Sequence, residues 1–374
     1  MSKKVLVTGG AGFIGSHIVD ELLKRGYEVR VFDNLEPQVH GEGGQIPEYL
    51  SKEVKFVYGD VRDRDGLKKA LQGVGVIFHE AAAVGVGQSM YEIAKYVEIN
   101  VEGTANLLDI LANERHTVRK LIIASSMSIY GEGAYRCSTC GVVNPNLRNT
   151  EQLKNREWEM KCPNCSKIVE PVPTNENKPL YPTSVYAVTK RDQEEMALVV
   201  GRAYEIPTIA LRYFNVYGPR QALSNPYTGV GAIFSSRLLN NKPPLIFEDG
   251  LQSRDFIHIN DIIQANMLAL EKEEANYESF NIGTGRKITV LKLAEILAEK
   301  LGKKIEPVAV NKFRVGDIRH CYADITKARK LLKFEPKIRF EDGVEDLVEW
   351  VKKQQVSDRV EVAKKELEKK GLTI

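Results

Sequence analysis

Short apolar runs recur along the first half of the chain, and polar residues or glycines follow each of them. The runs cover residues 4–8, 27–32, 54–58, 74–78 and 120–124. Within a run the apolar residues do not alternate with polar ones, which is typical of parallel strands that are buried on both faces. The pattern therefore predicts five parallel strands of one sheet.

Segments with apolar residues at helical spacing separate these runs, as in residues 16–25 and 96–111. The regular alternation of strand and helix predicts an α/β fold with a doubly wound Rossmann sheet. The alternation is less regular after residue 218, so we expect a dinucleotide-binding domain at 1–218 and a smaller C-terminal substrate lobe at 219–374. A charged helix over residues 357–370 is expected to present a solvated face.

Three glycines, Gly9, Gly12 and Gly15, follow the first strand at the point where a helix begins. Glycines in such a turn let the backbone approach a pyrophosphate, which then lies at the positive helix N-terminus. We therefore predict that this loop, with Phe13 and Ile14, binds a dinucleotide.

Acidic residues at the ends of the next two strands extend this prediction. Asp33 lies 18 residues after Gly15, where a carboxylate can accept the adenosine ribose hydroxyls, and Asn34 follows it. Because no arginine comes directly after Asp33, NAD is favoured over NADP. Asp60, beside Val61, can hold the adenine amino group or instead cap a helix that begins near residue 64.

Small or polar residues follow the fourth and fifth strands. Ala81 and Ala82 leave room for backbone beside a cofactor, and Asn100 is predicted either to bridge the cofactor ribose and the backbone or to lie on the surface. Ser125 and Ser126 end the fifth strand. In a doubly wound sheet the ligand binds at this carboxyl edge.

Composition narrows the classes of protein. Of 374 residues, 43% are hydrophobic and 28% are charged, which is ordinary for a globular protein. The 53 basic and 50 acidic side chains nearly cancel, so neither nucleic acid nor an anionic membrane is an expected partner. The apolar start of the chain is too short for a signal peptide or a membrane span, and we expect a cytoplasmic enzyme.

The spacing Tyr-x-x-x-Lys occurs twice, at residues 91–95 and 186–190. Only the second pair begins a helix and follows a serine-ended strand, so Tyr186 and Lys190 are predicted to share one helix face. Moving a phenol pKa from about 10 to about 7 needs roughly 4 kcal/mol. An ammonium at about 4–6 Å supplies roughly 3–4 kcal/mol at an effective dielectric near 20, so Tyr186 can act as a base.

Together the glycine loop, the serine strand, the Tyr186 and Lys190 pair, and residues 212–220 and 254–256 resemble the extended short-chain dehydrogenase/reductase family of NAD-dependent nucleotide-sugar epimerases and dehydratases. The resemblance implies that Ser126 binds the sugar hydroxyl that Tyr186 deprotonates, while Lys190 also holds the nicotinamide ribose. It further implies a homodimer and places Phe214 at the cofactor and the following residues at a UDP- or dTDP-hexose: Val84, Asn215, Arg254, Arg314 and Asp317.

The reaction expected from this resemblance is 4-epimerisation. Family dehydratases carry Asp and Glu where this chain has Met127 and Ser128, so elimination of water is not expected. Tyr186 would take the C4 hydroxyl proton, NAD⁺ would take the hydride, and the 4-keto sugar would receive it back on the other face. Residues 83–90 and the cysteine insert most resemble dTDP-L-rhamnose 4-epimerases, with UDP-glucose 4-epimerases as the alternative. Two other functions compete with this one. The protein could be a nucleotide-sugar dehydrogenase or reductase of the same family, or a non-catalytic protein that binds a partner through the insert.

An insert over residues 134–172 carries four of the five cysteines, as Cys137, Cys140, Cys162 and Cys165. Two Cys-x-x-Cys pairs separated by 21 residues predict a tetrahedral thiolate site in a zinc-ribbon-like loop, with zinc favoured over iron. Four protein ligands leave no open position, so a structural role is expected. The alternative is that the insert forms a wall of the sugar pocket or a subunit contact.

Overall fold

The computed structural model describes residues 3–223, 225, 227, 229–354 and 360–373. Its largest sheet has seven parallel strands, which are β1 Lys4–Thr8, β2 Glu28–Asp33, β3 Lys55–Tyr58, β4 Val76–His79, β5 Lys120–Ser126, β6 Thr208–Tyr213 and β7 Ser279–Ile282. Their order is β7-β6-β5-β4-β1-β2-β3. The predicted parallel Rossmann-like sheet is thus confirmed, and the strand order reverses between β1 and β4.

Helices cover both faces of this sheet. Val5 and Val7 of β1 pack with Ile18 on one face, whereas Leu6 packs with Leu107 on the other. The helices of more than five residues are Phe13–Lys24, Arg64–Ala70, Val97–Glu102, Gly103–Asn113, Val185–Ala203, Val230–Leu239, Ile259–Glu271, Val290–Lys300, Phe340–Lys352 and Val360–Lys369. Shorter ones are Pro37–His40, Val86–Ser89, Ile93–Tyr96, Met127–Tyr130, Thr150–Lys154, Glu273–Ala275 and Ala328–Leu332.

A second core lies beyond the carboxyl edge of the sheet, where the helices Val230–Leu239, Val290–Lys300 and Phe340–Lys352 pack together. Short strand pairs join it to the sheet region: Asn215–Tyr217 with Phe256–His258, Leu245–Ile246 with Val308–Ala309, and Ser253–Arg254 between Ile288–Thr289 and His320–Cys321. Strand β7 also comes from the part of the chain after residue 218, yet it lies in the main sheet. The division at residue 218 stays a prediction.

The insert contains a small antiparallel sheet in which Ala134–Cys137 pairs with both Gly141–Val143 and Glu170–Val172. Its core holds apolar residues such as Tyr135 and Met160 around the cysteines. Backbone hydrogen bonds on either side attach it to the strand His320–Cys321 and the residue after it, from Gly133 N to His320 O at 2.9 Å and from Thr174 N to Tyr322 O at 2.8 Å.

The last helix, Val360–Lys369, differs from expectation. Ala363 and Leu367 are buried, although Val362 is exposed, so the prediction of a solvated face is wrong for half of the helix. Apolar residues at spacing four bury one face, and the other face is charged, with Glu368 in an ion pair with Lys312 at 2.9 Å. In the described ranges of the chain, every helix is too short or too polar to cross a lipid bilayer.

Candidate active site

A cavity of about 660 Å³ runs along the carboxyl edge of the sheet and continues between the sheet and the second core. All but one of the side chains predicted to bind cofactor or substrate line it. On the sheet side these are Gly9, Gly12, Phe13, Ile14, Gly15, Asp33, Asn34, Asp60, Val61, Ala81, Ala82, Ser125, Ser126, Tyr186, Lys190 and Phe214. On the other side they are Val84, Asn215, Arg254, Arg314 and Asp317.

The glycine loop lets three backbone segments meet at one end of this cavity. A Cβ atom on Gly15 would lie 2.2 Å from the carbonyl oxygen of Gly9, and one on Gly9 would lie 2.8 Å from the backbone nitrogen of Ala81. The helix that follows has Gly12 as its N-cap, without a side-chain cap. Its first N–H groups are therefore available to an anionic ligand.

The carboxylate of Asp33 is held at the end of β2 by two backbone donors, Ala11 N and Leu35 N, each at 2.9 Å. Asp60 accepts from Arg62, which lowers the pKa of its carboxyl to about 2. Asp63, not Asp60, caps the helix Arg64–Ala70 by accepting from Gly66 N at 3.1 Å. Asp60 therefore remains at the cavity as an acceptor.

Tyr186 and Lys190 lie one turn apart at the start of the helix Val185–Ala203, which Ser184 caps by accepting from Ala187 N at 3.1 Å. The ammonium of Lys190 donates to Ala124 O of β5 at 2.9 Å, which fixes the helix beside the serine strand. Ser126 and Tyr186 line the same part of the cavity, and the Ser126 hydroxyl accepts from Ser128 N at 3.1 Å. A serine, a tyrosine and a lysine from two elements thus meet at one point of the cavity.

Burial dominates the electrostatics at this point. It raises the pKa of the Tyr186 phenol, and the hydrogen bond with Ser126 lowers it in part. It also lowers the pKa of the Lys190 ammonium, which the negative charge of Glu80 partly restores. Burial raises the pKa of Glu80 in turn, against the charge of Lys190. The phenol is therefore protonated here, and an added positive charge is needed to ionise it.

Asn100 is the exception among the predicted binding residues. It is fully buried behind the cavity wall, where its amide accepts from Ala83 N at 2.7 Å and donates to Ala83 O at 3.1 Å and to Thr189 at 3.0 Å. The alternative of a surface position is therefore wrong, whereas contact with the cofactor ribose stays a prediction. Asn100 ties the loop after β4 to the helix of Tyr186.

On the far side of the cavity, polar groups point inward from the second core. The side-chain oxygen of Asn215 is buried without a hydrogen-bond partner among the described residues, as expected of a group that a ligand would satisfy. Arg314 donates to Asp317 at 2.8 Å and stacks over the Phe247 ring at 4.7 Å. Arg254 is held by three backbone carbonyls, including Ile318 O at 2.7 Å.

The competing Tyr-x-x-x-Lys pair does not form such a site. The Tyr91 hydroxyl bonds to that of Tyr227 at 2.5 Å, whereas Lys95 forms ion pairs with Glu36 and Glu92. The helix that contains Lys95 begins at Ile93, so Tyr91 lies before it and does not share its face.

Sequence reasoning missed several cavity residues. Glu80 lines the cavity and accepts from Tyr213 at 3.1 Å. Like Asp60, Glu80 is an acidic residue that follows a strand, and this position could have identified it as a cavity residue. Lys364 and Leu367 bring the last helix to the cavity, and the spacing of Val360, Ala363 and Leu367 was the signal for that contact.

The four insert cysteines come together outside this cavity. Their sulfur atoms all lie within 4.8 Å of one another, and none of the chain's cysteines is in a disulfide. Backbone N–H groups of Thr139 and Cys140 lower the pKa of Cys137 to about 6. Across the described residues, nothing from 134–172 lines the cavity, so the idea of an insert that forms a pocket wall is wrong.

Gly15→Ala tests whether the glycine loop holds a dinucleotide. Its Cβ cannot fit 2.2 Å from Gly9 O without moving the loop. We expect co-purified NAD, measured by absorbance and mass spectrometry of the released nucleotide, to fall at least about tenfold, which corresponds to about 1.4 kcal/mol. Gly43→Ala is the control, because its Cβ would make only ordinary contacts. Wild-type NAD content in Gly15→Ala would contradict the assignment.

Comparisons with known proteins agree with this geometry. A family model described as NAD dependent epimerase/dehydratase family matches residues 5–149, and one described as GDP-mannose 4,6 dehydratase matches residues 168–347. The dTDP-L-rhamnose 4-epimerase of Burkholderia thailandensis is 36% identical over 93% of this chain and 95% of that protein.

Solved structures show the same relationship. The UDP-glucose 4-epimerase of Thermotoga maritima, crystallised with UDP-glucose, is 34% identical with a TM-score of 0.75, over 94% of this chain and 99% of that one. The UDP-glucuronic acid 4-epimerase of Bacillus cereus, in complex with UDP-glucuronic acid and NAD, is 30% identical with a TM-score of 0.75, over 93% and 99%. With this similarity over nearly its whole length, the chain belongs to the NAD-dependent epimerase/dehydratase family.

Proposed function

We propose that this protein is an NAD-dependent nucleotide-sugar 4-epimerase. The observation that carries the proposal is the meeting of Ser126, Tyr186 and Lys190 in the same cavity as the glycine loop. Met127 and Ser128 also line this cavity, so the two positions that carry carboxylates in dehydratases carry none here. Oxidation followed by reduction of the sugar fits this set of side chains better than elimination of water.

The sheet side of the cavity fits NAD. The glycine loop would hold the pyrophosphate, Asp33 the adenosine ribose, Asp60 the adenine, and Lys190 the nicotinamide ribose. NAD, when bound, supplies the hydride acceptor and donor at the sugar carbon. The absence of an arginine directly after Asp33 supports NAD over NADP.

The phenol of Tyr186 is the proposed base for the C4 hydroxyl of the sugar, with Ser126 orienting that hydroxyl. Burial opposes ionisation of the phenol, so the positive charges of Lys190 and of the oxidised cofactor must favour the phenolate together. An ammonium at about 4–6 Å from a phenol contributes roughly 3–4 kcal/mol at an effective dielectric near 20, which is the contribution proposed for Lys190. The proton then remains on Tyr186 until the 4-keto sugar is reduced on its other face.

The substrate proposed for the second side of the cavity is a UDP- or dTDP-hexose. Arg254 and Arg314 supply positive charge for the diphosphate, Asp317 can accept from the nucleoside ribose, and Asn215 offers its unpaired amide oxygen. Val84 lies at the same cavity, near the sugar in this assignment. The relatives named above act on sugar nucleotides of both kinds.

The deciding experiment is incubation of the pure protein with UDP-glucose, UDP-GlcNAc and dTDP-L-rhamnose without added cofactor, followed by NMR. Inversion at C4 of at least one sugar supports the epimerase. If the protein contains NAD and inverts none of them, the proposal fails. Conversion that consumes added NAD or NADH stoichiometrically would identify a dehydrogenase or reductase instead.

Tyr186→Phe removes the proposed base with little change in shape. We expect turnover to fall by at least about 10²–10⁴-fold, the usual contribution of a positioned acid or base, while NAD content stays at the wild-type level. Tyr91→Phe is the matched control, because it removes the hydroxyl of the competing pair, and its turnover should stay near wild type. Retained turnover in Tyr186→Phe would refute the assignment of the base.

Glu80→Gln should change the pH dependence of the reaction. Above neutral pH Glu80 is charged and raises the pKa of Lys190. Without that charge the Lys190 pKa falls, so the ammonium is lost at lower pH and the alkaline limb of kcat/KM moves to lower pH. Glu80→Asp keeps the charge and should stay closer to wild type. An alkaline limb that is unmoved, or displaced to higher pH, would argue against this coupling.

We also propose that the four insert cysteines hold a structural zinc ion, with iron as the alternative. Zn–S bonds of about 2.3 Å in a tetrahedron place sulfur atoms about 3.8 Å apart, which agrees with a cluster within 4.8 Å and a separation of 3.5 Å between Cys137 and Cys165. The N–H donors at Cys137 favour its thiolate. The small core of the insert supports a role in holding its fold.

Elemental analysis of Cys162→Ser tests the metal site. Wild type should contain about one zinc or iron per chain, and Cys162→Ser should lose most of it because three thiolates bind metal far more weakly than four. Cys321→Ser is the matched control, since Cys321 is buried outside the cluster and should not affect metal content. Equal metal content in Cys162→Ser and wild type would defeat the proposal.

A homodimer and a cytoplasmic location remain proposals. A thiolate metal site at the four insert cysteines, in place of disulfides, would fit a reducing compartment. The family resemblance supports a dimer through the helices that contain Asn100 and Tyr186. The two-domain division at residue 218 is likewise proposed.

A further inference from the structure

The insert does not reach the cavity, yet a buried network of charges connects it to one of the cavity walls. At the insert end of this network is Arg148, whose guanidinium is almost fully buried and donates to Trp158 O of the insert at 2.9 Å. The same guanidinium forms a bidentate ion pair with the Glu248 carboxylate, with hydrogen bonds of 2.8 and 2.9 Å. It also reaches Asp317 O at 3.3 Å. One side chain thus joins the insert to two segments that lie outside it, at Glu248 and at Asp317.

Both of those segments line the cavity. Glu248 follows Phe247, over whose ring Arg314 stacks, and Asp317 accepts from Arg314 at 2.8 Å. Glu248 has a φ of 56°, a left-handed backbone conformation that a residue with a side chain adopts at a cost. Its carboxylate contacts with the insert are therefore part of what holds the turn after Phe247 in place.

A second arginine closes the network. Arg319 is fully buried and contacts Glu248 at 3.0 Å, Asp249 at 2.6 Å and Glu159 of the insert at 2.6 Å. Its carbonyl oxygen accepts from Arg254 at 3.0 Å. Buried charges of this kind favour one geometry strongly, because any displacement leaves a desolvated charge without its partner. The network therefore fixes the relative positions of the insert, Phe247 and the backbone that holds Arg254.

We propose that Arg148 is a positioning residue through which the cysteine insert sets the affinity of the cavity for the nucleoside diphosphate half of the substrate. The inference rests on the proposed function, which assigns Arg254, Arg314 and Asp317 to that half. Arg148 touches neither the cofactor end of the cavity nor Tyr186. It acts on substrate binding, and proton and hydride transfer proceed without it.

Arg148→Met tests this role in the NAD-containing enzyme, because methionine keeps much of the length and removes the charge and all four hydrogen bonds. We expect KM for the sugar nucleotide to rise by roughly tenfold, within the range of about 5–150-fold typical of coupled sites. The Kd of UDP or dTDP, measured by calorimetry, should rise in parallel. Turnover number should change by less than about threefold, and NAD and metal contents should stay at wild-type levels.

Arg156→Met is the matched control. Arg156 lies in the same insert, is exposed, and has no side-chain hydrogen bond or ion pair within the described part of the chain. Its KM and Kd should equal those of wild type. Arg148→Lys keeps the charge but cannot form the bidentate ion pair with Glu248. Its KM should therefore lie between the values for wild type and Arg148→Met. If Arg148→Met does not fold, Arg148→Lys decides by the same measurements.

Two results would overturn the inference. One is an Arg148→Met enzyme whose KM and Kd equal those of wild type, and the other is a loss confined to turnover number. Either result leaves the epimerase intact, provided that the wild-type protein inverts a sugar and binds UDP or dTDP. If the wild-type protein does neither, the proposed function itself has failed.

The cysteine cluster provides an independent check. If the insert acts through Arg148, then Cys162→Ser raises KM by loosening the same connection, and the double variant should show no larger rise than the more affected single variant. A double variant whose KM rises by the product of the two single effects would show that the cluster and Arg148 act separately, which would contradict the proposal.

Discussion

All seven strands of the main sheet run in the same direction, and the site depends on this constraint. Parallel strands bring their carboxyl ends to one edge, so side chains that are far apart in sequence become neighbours there. Asp33, Glu80 and Ser126 each occupy the end of a strand or the position just after it. Opposite this edge, the second core closes the cavity with residues that the sheet cannot supply.

Within that cavity, burial makes each charge depend on its neighbours. Loss of water raises the pKa of Tyr186 and of Glu80, and it lowers the pKa of Lys190. In a medium of low polarity one positive charge has a larger effect on a phenol than it would have in water. In the proposed mechanism, the change in the charge of the cofactor would therefore favour the phenolate or the phenol of Tyr186 in turn.

Much of this arrangement could be read from the sequence because it depends on local patterns. Apolar runs and the glycine loop located the strands and the cofactor end, and the context of each Tyr-x-x-x-Lys pair separated Tyr186 from Tyr91. Strands β6 and β7 were not among the five predicted strands, since both lie beyond the regular alternation of the first half of the chain and are more than sixty residues apart. The bonds of Asn100 to Ala83 and Thr189 could not be read from the sequence, because nothing local distinguishes a surface amide from one that binds a neighbouring loop. The network around Arg148 depends on tertiary contacts that have no sequence signature.

The ladder at the base of the insert has a topological consequence. Ala134 pairs directly with Val172, so the chain leaves and re-enters the main fold at a single point. Only 8 residues from Ser126 to Ala134 and 14 from Val172 to Tyr186 then form the open loop between serine and tyrosine. Compared with an unconstrained loop of 60 residues, this shortening lowers the entropy cost of closure by roughly 1 kcal/mol. The length of chain beyond this ladder therefore does not set the separation of Ser126 and Tyr186, even though the insert is also joined to the cavity wall through Arg148.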